Sequence, residues 1–367
     1  MYLSYYMPTR LVSGFDAVKA HPEYLAGYKS AFIVTGKRGA KLCGALDDVI
    51  EVLTKNGIPY AHFDEVTENP PLLMCEKGGN ACRAANADVV IAIGGGSCMD
   101  AGKAIAAFAT NEGIDPEELF NVSSLKPSLP IICIPTTAGT GSEANPYSIM
   151  TLPDGLRKKT FNSPASYPVV SYVDPAYTRS LSREYTISTA LDAFAHALES
   201  YLSPKSNFFS ESAALFAAKN IWDVLSQYPD EFDDGMREAL MYASTAAGIA
   251  INVTGTGFPH PLGYSLTLLD GIPHGAACAI FDGDFIEYNE RSPEGAARMK
   301  TFYEALDVKP KVLREYLPAL SGVSLTLTED EIREHVELIK DAKNYQNSPY
   351  VISVDEMYEI YRKHFKK

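Results

Sequence analysis

The sequence predicts two domains of different class: an α/β domain with a parallel, Rossmann-like sheet over residues 1–178, and an all-α domain over residues 179–367. Three observations predict this. The first half alternates short β-rich runs with helix-periodic segments. Its central runs, Asp88-Val-Val-Ile-Ala-Ile93 and Pro130-Ile-Ile-Cys-Ile134, are almost wholly apolar, as strands covered on both faces must be. Past Asp174-Pro175 strand signals almost vanish and alanine-rich helical segments take over. A chain of 367 residues is long enough for two cores. No flexible linker separates the halves, so close packing with a cleft between them is expected, a favoured setting for ligands.

In order, residues 30–35 read as a strand ending at Gly36, 46–55 as a helix, and 60–64 as a strand. A helix over 76–86 leads to the strand 88–93, which runs into Gly94-Gly-Gly96. A helix over 98–109 and the strand 130–134 follow. In the second half, 188–202, 208–227, 235–251, 296–306 and 330–341 carry helical periodicity.

Composition narrows the function. The net charge of −14 repels phosphate backbones and anionic membranes, so neither nucleic acid nor lipid is expected as a partner. No apolar run approaches the roughly 20 residues of a membrane span. The start has no basic residue before Arg10 and no sustained apolar stretch, unlike a secretory leader. The six cysteines (43, 75, 82, 98, 133, 278) show no CxxC spacing and read as reduced, mostly buried thiols of a cytoplasmic protein.

Two loops suit phosphates. Gly94-Gly-Gly-Ser-Cys-Met-Asp100 ends a strand and opens a helix, where backbone N–H groups and the helix N-terminus favour an anion. It is neither GxGxxG nor a P-loop, and alone it reads equally well as a tight turn. Thr136-Thr-Ala-Gly-Thr-Gly-Ser-Glu143 follows the next buried strand and offers hydroxyls and N–H groups to a diphosphate or ribose. Together they point to a dinucleotide at the carboxyl edge of the sheet. Enzymes that use NAD place a carboxylate after an early strand to bind the ribose 2′-OH. Here that place holds Gly36, followed by Lys37 and Arg38, which favours NADP(H) over NAD(H); solvated surface charges are the other reading of the pair.

A metal constellation lies in the second half. Asp192 and His196 are four apart on a helical pattern, hence on one face. On an exposed helix such a pair is usually solvated, but the flanks here are apolar and a buried carboxylate needs a partner. His260 and His274 are 14 residues apart. One straight helix would separate them by roughly 21 Å. Pro259, Pro261, Gly263, Gly271 and Pro273 make that helix improbable, so the chain is free to bring both imidazoles together. Two unrelated structural histidines remain the alternative on the residues alone. Three imidazoles and a carboxylate around a divalent ion would leave an open position for Lewis-acid chemistry, with Fe(II) or Zn(II) both suited.

The combination resembles the iron-containing (group III) alcohol dehydrogenases. The motifs are Gly94-Gly-Gly-Ser97 with Asp100, Pro135-Thr-Thr-Ala-Gly-Thr-Gly-Ser-Glu143, Asp192-Ala-Phe-Ala-His196, His260-Pro-Leu-Gly263 and Pro273-His-Gly275, in family order. The resemblance implies a nucleotide-binding α/β domain, a helical metal domain and a homodimer. It implies that Asp192, His196, His260 and His274 hold Fe(II), or Zn(II) in its place. Gly95, Gly96, Ser97, Asp100, Thr136, Thr137 and Thr140 match cofactor-contacting positions, and Lys158 matches a lysine that reaches the cofactor ribose. Two departures stand out. Many members carry an acidic residue where this chain has Gly36. Many carry a second histidine where it has Tyr264, which leaves Tyr264 or water as proton relay.

The expected chemistry is hydride transfer between a small primary alcohol or aldehyde and NADP(H). A glycerol or polyol dehydrogenase is the alternative. A lyase resembling dehydroquinate synthase would need clustered cations for its substrate, and residues 245–285 hold no Lys or Arg. Phe258, Tyr264 and Leu268 are expected to wall an apolar pocket.

Overall fold

A computed structural model describes residues 5–366. The chain divides into two compact units: Tyr6–Leu181 with Phe232–Thr245, and Ser182–Glu231 with the chain from Ala246 onward.

The first unit is built on a six-stranded, all-parallel sheet. Its strands are β1 (Arg10–Ser13), β2 (Ala31–Gly36), β3 (Tyr60–Val66), β4 (Val89–Gly94), β5 (Ile131–Pro135) and, after the antiparallel hairpin β6 (Tyr147–Thr151) and β7 (Lys158–Asn162), β8 (Val170–Val173). The spatial order is β1-β8-β5-β4-β2-β3. Helices α1 (Ala17–Ala20), α2 (Glu23–Ala26), α3 (Gly39–Leu42), α4 (Ala45–Lys55), α5 (Leu72–Ala84) and α6 (Gly96–Thr110) complete it.

The apolar strands feed two cores. Successive side chains point to opposite faces. Phe32, Val34, Val90, Ala92, Ile131 and Cys133 join the core of α5 and α6, whereas Ile33, Val89, Ile91, Ile93, Ile132 and Ile134 join that of α4. The chain turns from β2 to β3 on one side and returns to β4 on the other, so the strand order reverses between β2 and β4. Ligands of open parallel sheets bind at such a reversal.

The second unit holds α7 (Arg183–Leu202) and α8 (Phe208–Leu225), then the end of α9 (Asp234–Thr254), whose residues up to Thr245 group with the sheet unit. It continues with α10 (Pro259–Leu269), α11 (His274–Ala279), α12 (Asp282–Asn289), α13 (Pro293–Leu306), α14 (Pro310–Ser321), α15 (Glu329–Ile339) and α16 (Val354–Phe365). No single helix joins His260 to His274, as expected, but Pro259 and Pro261 are not what interrupts it. They occupy the first turn of α10, where a missing N–H costs nothing. The break comes at Gly271, whose φ of 69° reverses the chain before Pro273. Among the described residues no helix is long and apolar enough to cross a membrane. Five of the six thiols are buried, Cys43 partly so.

Candidate functional site

In the helical unit, α7 carries Asp192 and His196, α10 carries His260 and Tyr264, and α11 opens on His274. The Nε2 atoms of His196, His260 and His274 lie 3.9, 3.7 and 3.7 Å from a single oxygen, Asp192 Oδ1. Two ligands on a tetrahedral ion stand about 3.4 Å apart, so this donor cage fits a divalent cation after a few tenths of an ångström of contraction. The His196 and His260 rings stack at 4.6 Å, and His274 stands edge-on to His260 at 5.5 Å. Asp192, His196 and His260 are buried, whereas the His274 side chain is 32% exposed, so solvent meets the cage on that side. Tyr264 stacks on His274 with ring centroids 5.4 Å apart.

Backbone contact fixes the spacing. A Cβ on Gly275 would overlap the Ser188 carbonyl oxygen and stand 3.0 Å from the Asp192 Cβ. The Ala276 N–H donates to Ser188 Oγ at 3.2 Å. Only glycine lets α11 lie this close to α7.

Three neighbours escape the sequence reading. Glu199, fully buried, accepts from His260 Nδ1 at 2.7 Å and from the Gly257 N–H. A carboxylate there fixes the tautomer that turns Nε2 toward the cage. Burial pushes Glu199 up, while the His260 charge and bond pull against it. Its signal was spacing: 192, 196 and 199 share one helical face. Cys278 sits one turn beyond His274 on α11, with Sγ 3.8 Å from His274 Nε2. Asp282 is fully buried, and burial together with the Glu199 and Asp192 charges pushes its carboxyl well above the usual range. Phe258, expected in a pocket wall, is fully buried and packs edge-on against Phe285, so it belongs to the core.

In the sheet unit, the two loops spring from adjacent strands, with Thr136 N–H donating to the Gly94 carbonyl at 3.0 Å. They touch: a Cβ on Gly95 would come within 3.2 Å of the Thr137 side chain, and one on Gly96 within 2.6 Å of Thr140. Gly94 has φ 151°, which favours glycine. Gly96 and Ser97 form the first turn of α6, where N–H groups lack intrahelical partners and suit an anion.

Asp100 serves the loop itself. Its carboxylate accepts from Ser142 Oγ at 2.7 Å and the Ile149 N–H at 2.9 Å. Lys103, one turn on and fully buried, donates to Ser142 O, Ser142 Oγ and Tyr147 O at 2.6–2.8 Å. A lone lysine in Ala-Gly-Lys-Ala-Ile-Ala-Ala was the signal for it. Burial pushes the Asp100 carboxyl up, and the charges of Lys103 and of Lys158, which begins β7, pull against it. Gly36 ends β2, and a Cβ there would approach the Val66 carbonyl to 3.2 Å. Lys37 Nζ pairs with Asp64 Oδ1 at 3.2 Å. A carboxylate therefore does stand near Gly36, supplied by β3.

Residues 8–175 match the family model of iron-containing alcohol dehydrogenase, and residues 186–365 match that of the Fe-containing alcohol dehydrogenase C-terminal part. The chain belongs to the iron-containing alcohol dehydrogenase family. It is therefore an oxidoreductase of alcohols. Alcohol dehydrogenase 4 of Schizosaccharomyces pombe is 30% identical over 85% of this chain and 73% of its own. An iron-containing alcohol dehydrogenase from Thermotoga maritima superposes with a TM-score of 0.91 at 35% identity, over 99% of both chains. A sulfoacetaldehyde reductase from Bifidobacterium kashiwanohense, solved in complex with NAD+, gives 0.88 at 26% identity, over 99% of both chains.

Proposed function

We propose that this family member uses a divalent ion, Fe(II) by preference and Zn(II) as substitute, to interconvert small primary alcohols and aldehydes with NADP(H). The observation that carries this is the convergence of three imidazole Nε2 atoms on one Asp192 oxygen. Asp192, His196, His260 and His274 would hold the ion. When bound, it supplies a Lewis acid that lowers the alcohol's pKa and polarises the aldehyde carbonyl.

The chain's own groups do the rest. Glu199 keeps His260 in the donor tautomer. Tyr264, stacked on His274 at the solvent side, passes the alcohol proton outward, in place of an imidazole. Residues 1–178 bind the dinucleotide: Gly95, Gly96 and Ser97 with Thr136, Thr137 and Thr140 take the diphosphate, and Lys158 the ribose. Asp100 and Lys103 hold those loops in shape. Lys37, next to Gly36, offers a cation to a 2′-phosphate, and Asp64 offsets part of that charge. Residues 179–367 carry the metal chemistry. A homodimer in the cytoplasm completes the reading, in keeping with an acidic chain and free thiols.

The test supplies Fe(II) or Zn(II) anaerobically and follows NADPH and NADH oxidation with a panel of unbranched aldehydes, glycerol-derived aldehydes and sulfoacetaldehyde. The expected result is steady, metal-dependent oxidation of NADPH, faster than of NADH, with an unbranched aldehyde. Turnover that survives metal stripping would sink the metal reading; equal or faster use of NADH would sink the cofactor preference.

A further inference from the structure

We propose that His335 and Tyr361, which grip Ser265 from α15 and α16, are positioning residues for His260 and Tyr264. The proposal rests on the metal reading above and extends it to side chains on the far face of α10.

α10 has two faces with different partners. At about 100° per residue, His260 and Tyr264 project to one side, and Leu262 and Ser265 to the other. The cage lies on the first side. On the second, three buried polar side chains meet: Ser265, His335 and Tyr361. Ser265 Oγ lies 2.6 Å from Tyr361 Oη and 2.9 Å from His335 Nδ1. The Tyr361 hydroxyl donates to the Leu262 carbonyl at 2.7 Å. His335 Nε2 stands 3.3 Å from Asp270 Oδ2, at the end of α10. Burial pushes the His335 imidazole down, so the ring is neutral near pH 7. With its proton on Nε2, toward Asp270, its Nδ1 accepts from the Ser265 hydroxyl. The grip therefore reaches α10 at 262, 265 and 270, just before the reversal at Gly271 that returns the chain to His274.

Packing alone would be served by apolar side chains here, and burying these polar groups costs free energy that their bonds must offset. What directed bonds add is a fixed rotation of the helix about its axis. A turn of about 15° moves an atom at the rim of a helix by roughly 1.5 Å. A working site tolerates about 0.5 Å. The N-cap residue of α10, Phe258, makes no side-chain cap bond, so its first turn supplies no such anchor. Glu199 orients the His260 ring, and the grip orients the helix that carries it.

Three full-length variants test this. His335→Leu removes the bond to Ser265, His335→Asn puts an amide in the Nδ1 place, and Tyr361→Phe removes one hydroxyl. Each is compared with the unaltered protein in urea unfolding, in zinc affinity by chelator competition, and in kcat and KM of the zinc-loaded enzyme with NADPH and an aldehyde. In His335→Leu, zinc affinity and kcat should each fall about tenfold while KM for the nucleotide stays unchanged. Tyr361→Phe should lose about threefold in both, and His335→Asn should regain most of the loss. Variants that unfold in less urea yet bind zinc as tightly and turn over as fast as the unaltered protein would reduce the grip to packing and overturn the proposal. So would a His335→Asn as impaired as His335→Leu. If His335→Leu does not fold, Tyr361→Phe decides on the same two readings. No zinc binding by the unaltered protein would overturn the metal reading and this proposal with it.

Discussion

Glu199 Oε1 accepts the Nδ1–H of His260 at 2.7 Å, with both side chains buried. His260 therefore reaches the cage already oriented, its Nε2 turned toward Asp192 Oδ1 as the proposed metal site requires. Outer partners of this type affect metal affinity by about 10- to 100-fold. Glu199→Ala should lose zinc in chelator competition by that factor and keep its nucleotide affinity. An unchanged zinc affinity would show that Glu199 does not orient the ring.

His274 stands at the exposed side of the cage and comes from a different helix than Asp192. His274→Ala should lose bound metal and turnover together, while NADPH binding, followed by fluorescence, stays as in the unaltered protein. Full activity in that variant would remove His274 from the ligand set.

The Lys37–Asp64 pair is exposed and screened by solvent, so each charge should shift affinity by a few-fold at most. Asp64→Asn should raise the NADPH-to-NADH ratio of kcat/KM about two- to fivefold, and Lys37→Ala should lower it by a similar factor. Ratios that move together in the same direction would mean that the pair does not read the 2′ position.

Lys103 is fully buried and makes two bonds to Ser142 in the loop after β5 and one to Tyr147 at the start of β6. Lys103→Met would leave two carbonyls and the Asp100 carboxylate buried with a partner lost. A loss of about 2 kcal/mol or more is expected in denaturant unfolding, with a raised KM for the nucleotide and little change in metal content. A stable variant with normal KM would refute the tether.

His335 is 2% exposed, with Nδ1 2.9 Å from Ser265 Oγ, and burial pushes its imidazole down to about 4. The unfolded chain takes up a proton near pH 6.5 and the folded chain does not until about pH 4. Stability should therefore fall as pH drops across that window, by up to about 3 kcal/mol. Urea titrations at pH 7 and pH 5 would register it, and His335→Gln should flatten the dependence. A variant as pH-sensitive as the unaltered chain would place the effect elsewhere.

Much of the fold was legible because the buried strands have no polar face. The runs 88–93 and 130–134 allow one interpretation, and β4 and β5 occupy them. The edge strand β1 and the hairpin β6–β7 were not read. Arg10–Ser13 is four residues long, and Lys158-Lys-Thr-Phe-Asn162 is mostly polar, so neither carries a period strong enough to notice. In the site, Asp192 and His196 were visible through helical spacing, and Gly271 with Pro273 announced the break that lets His274 return. Glu199 and Lys103 were missed for one reason: a charged residue inside an apolar helix says that it is buried, but its partner is set by the tertiary fold. Asp282 opens the polar start of α12, where nothing in the sequence marks it as buried.

Gly275 has a consequence for which ions the protein accepts. Since α7 and α11 meet main chain to main chain at that residue, the distance from His274 to Asp192 is gauged by two backbones rather than by flexible side chains. A larger cation could enter only by prying the helices apart, and a methyl group at 275 would do the same prying without any ion. The molecule sizes its metal with a calliper whose jaws are peptide bonds.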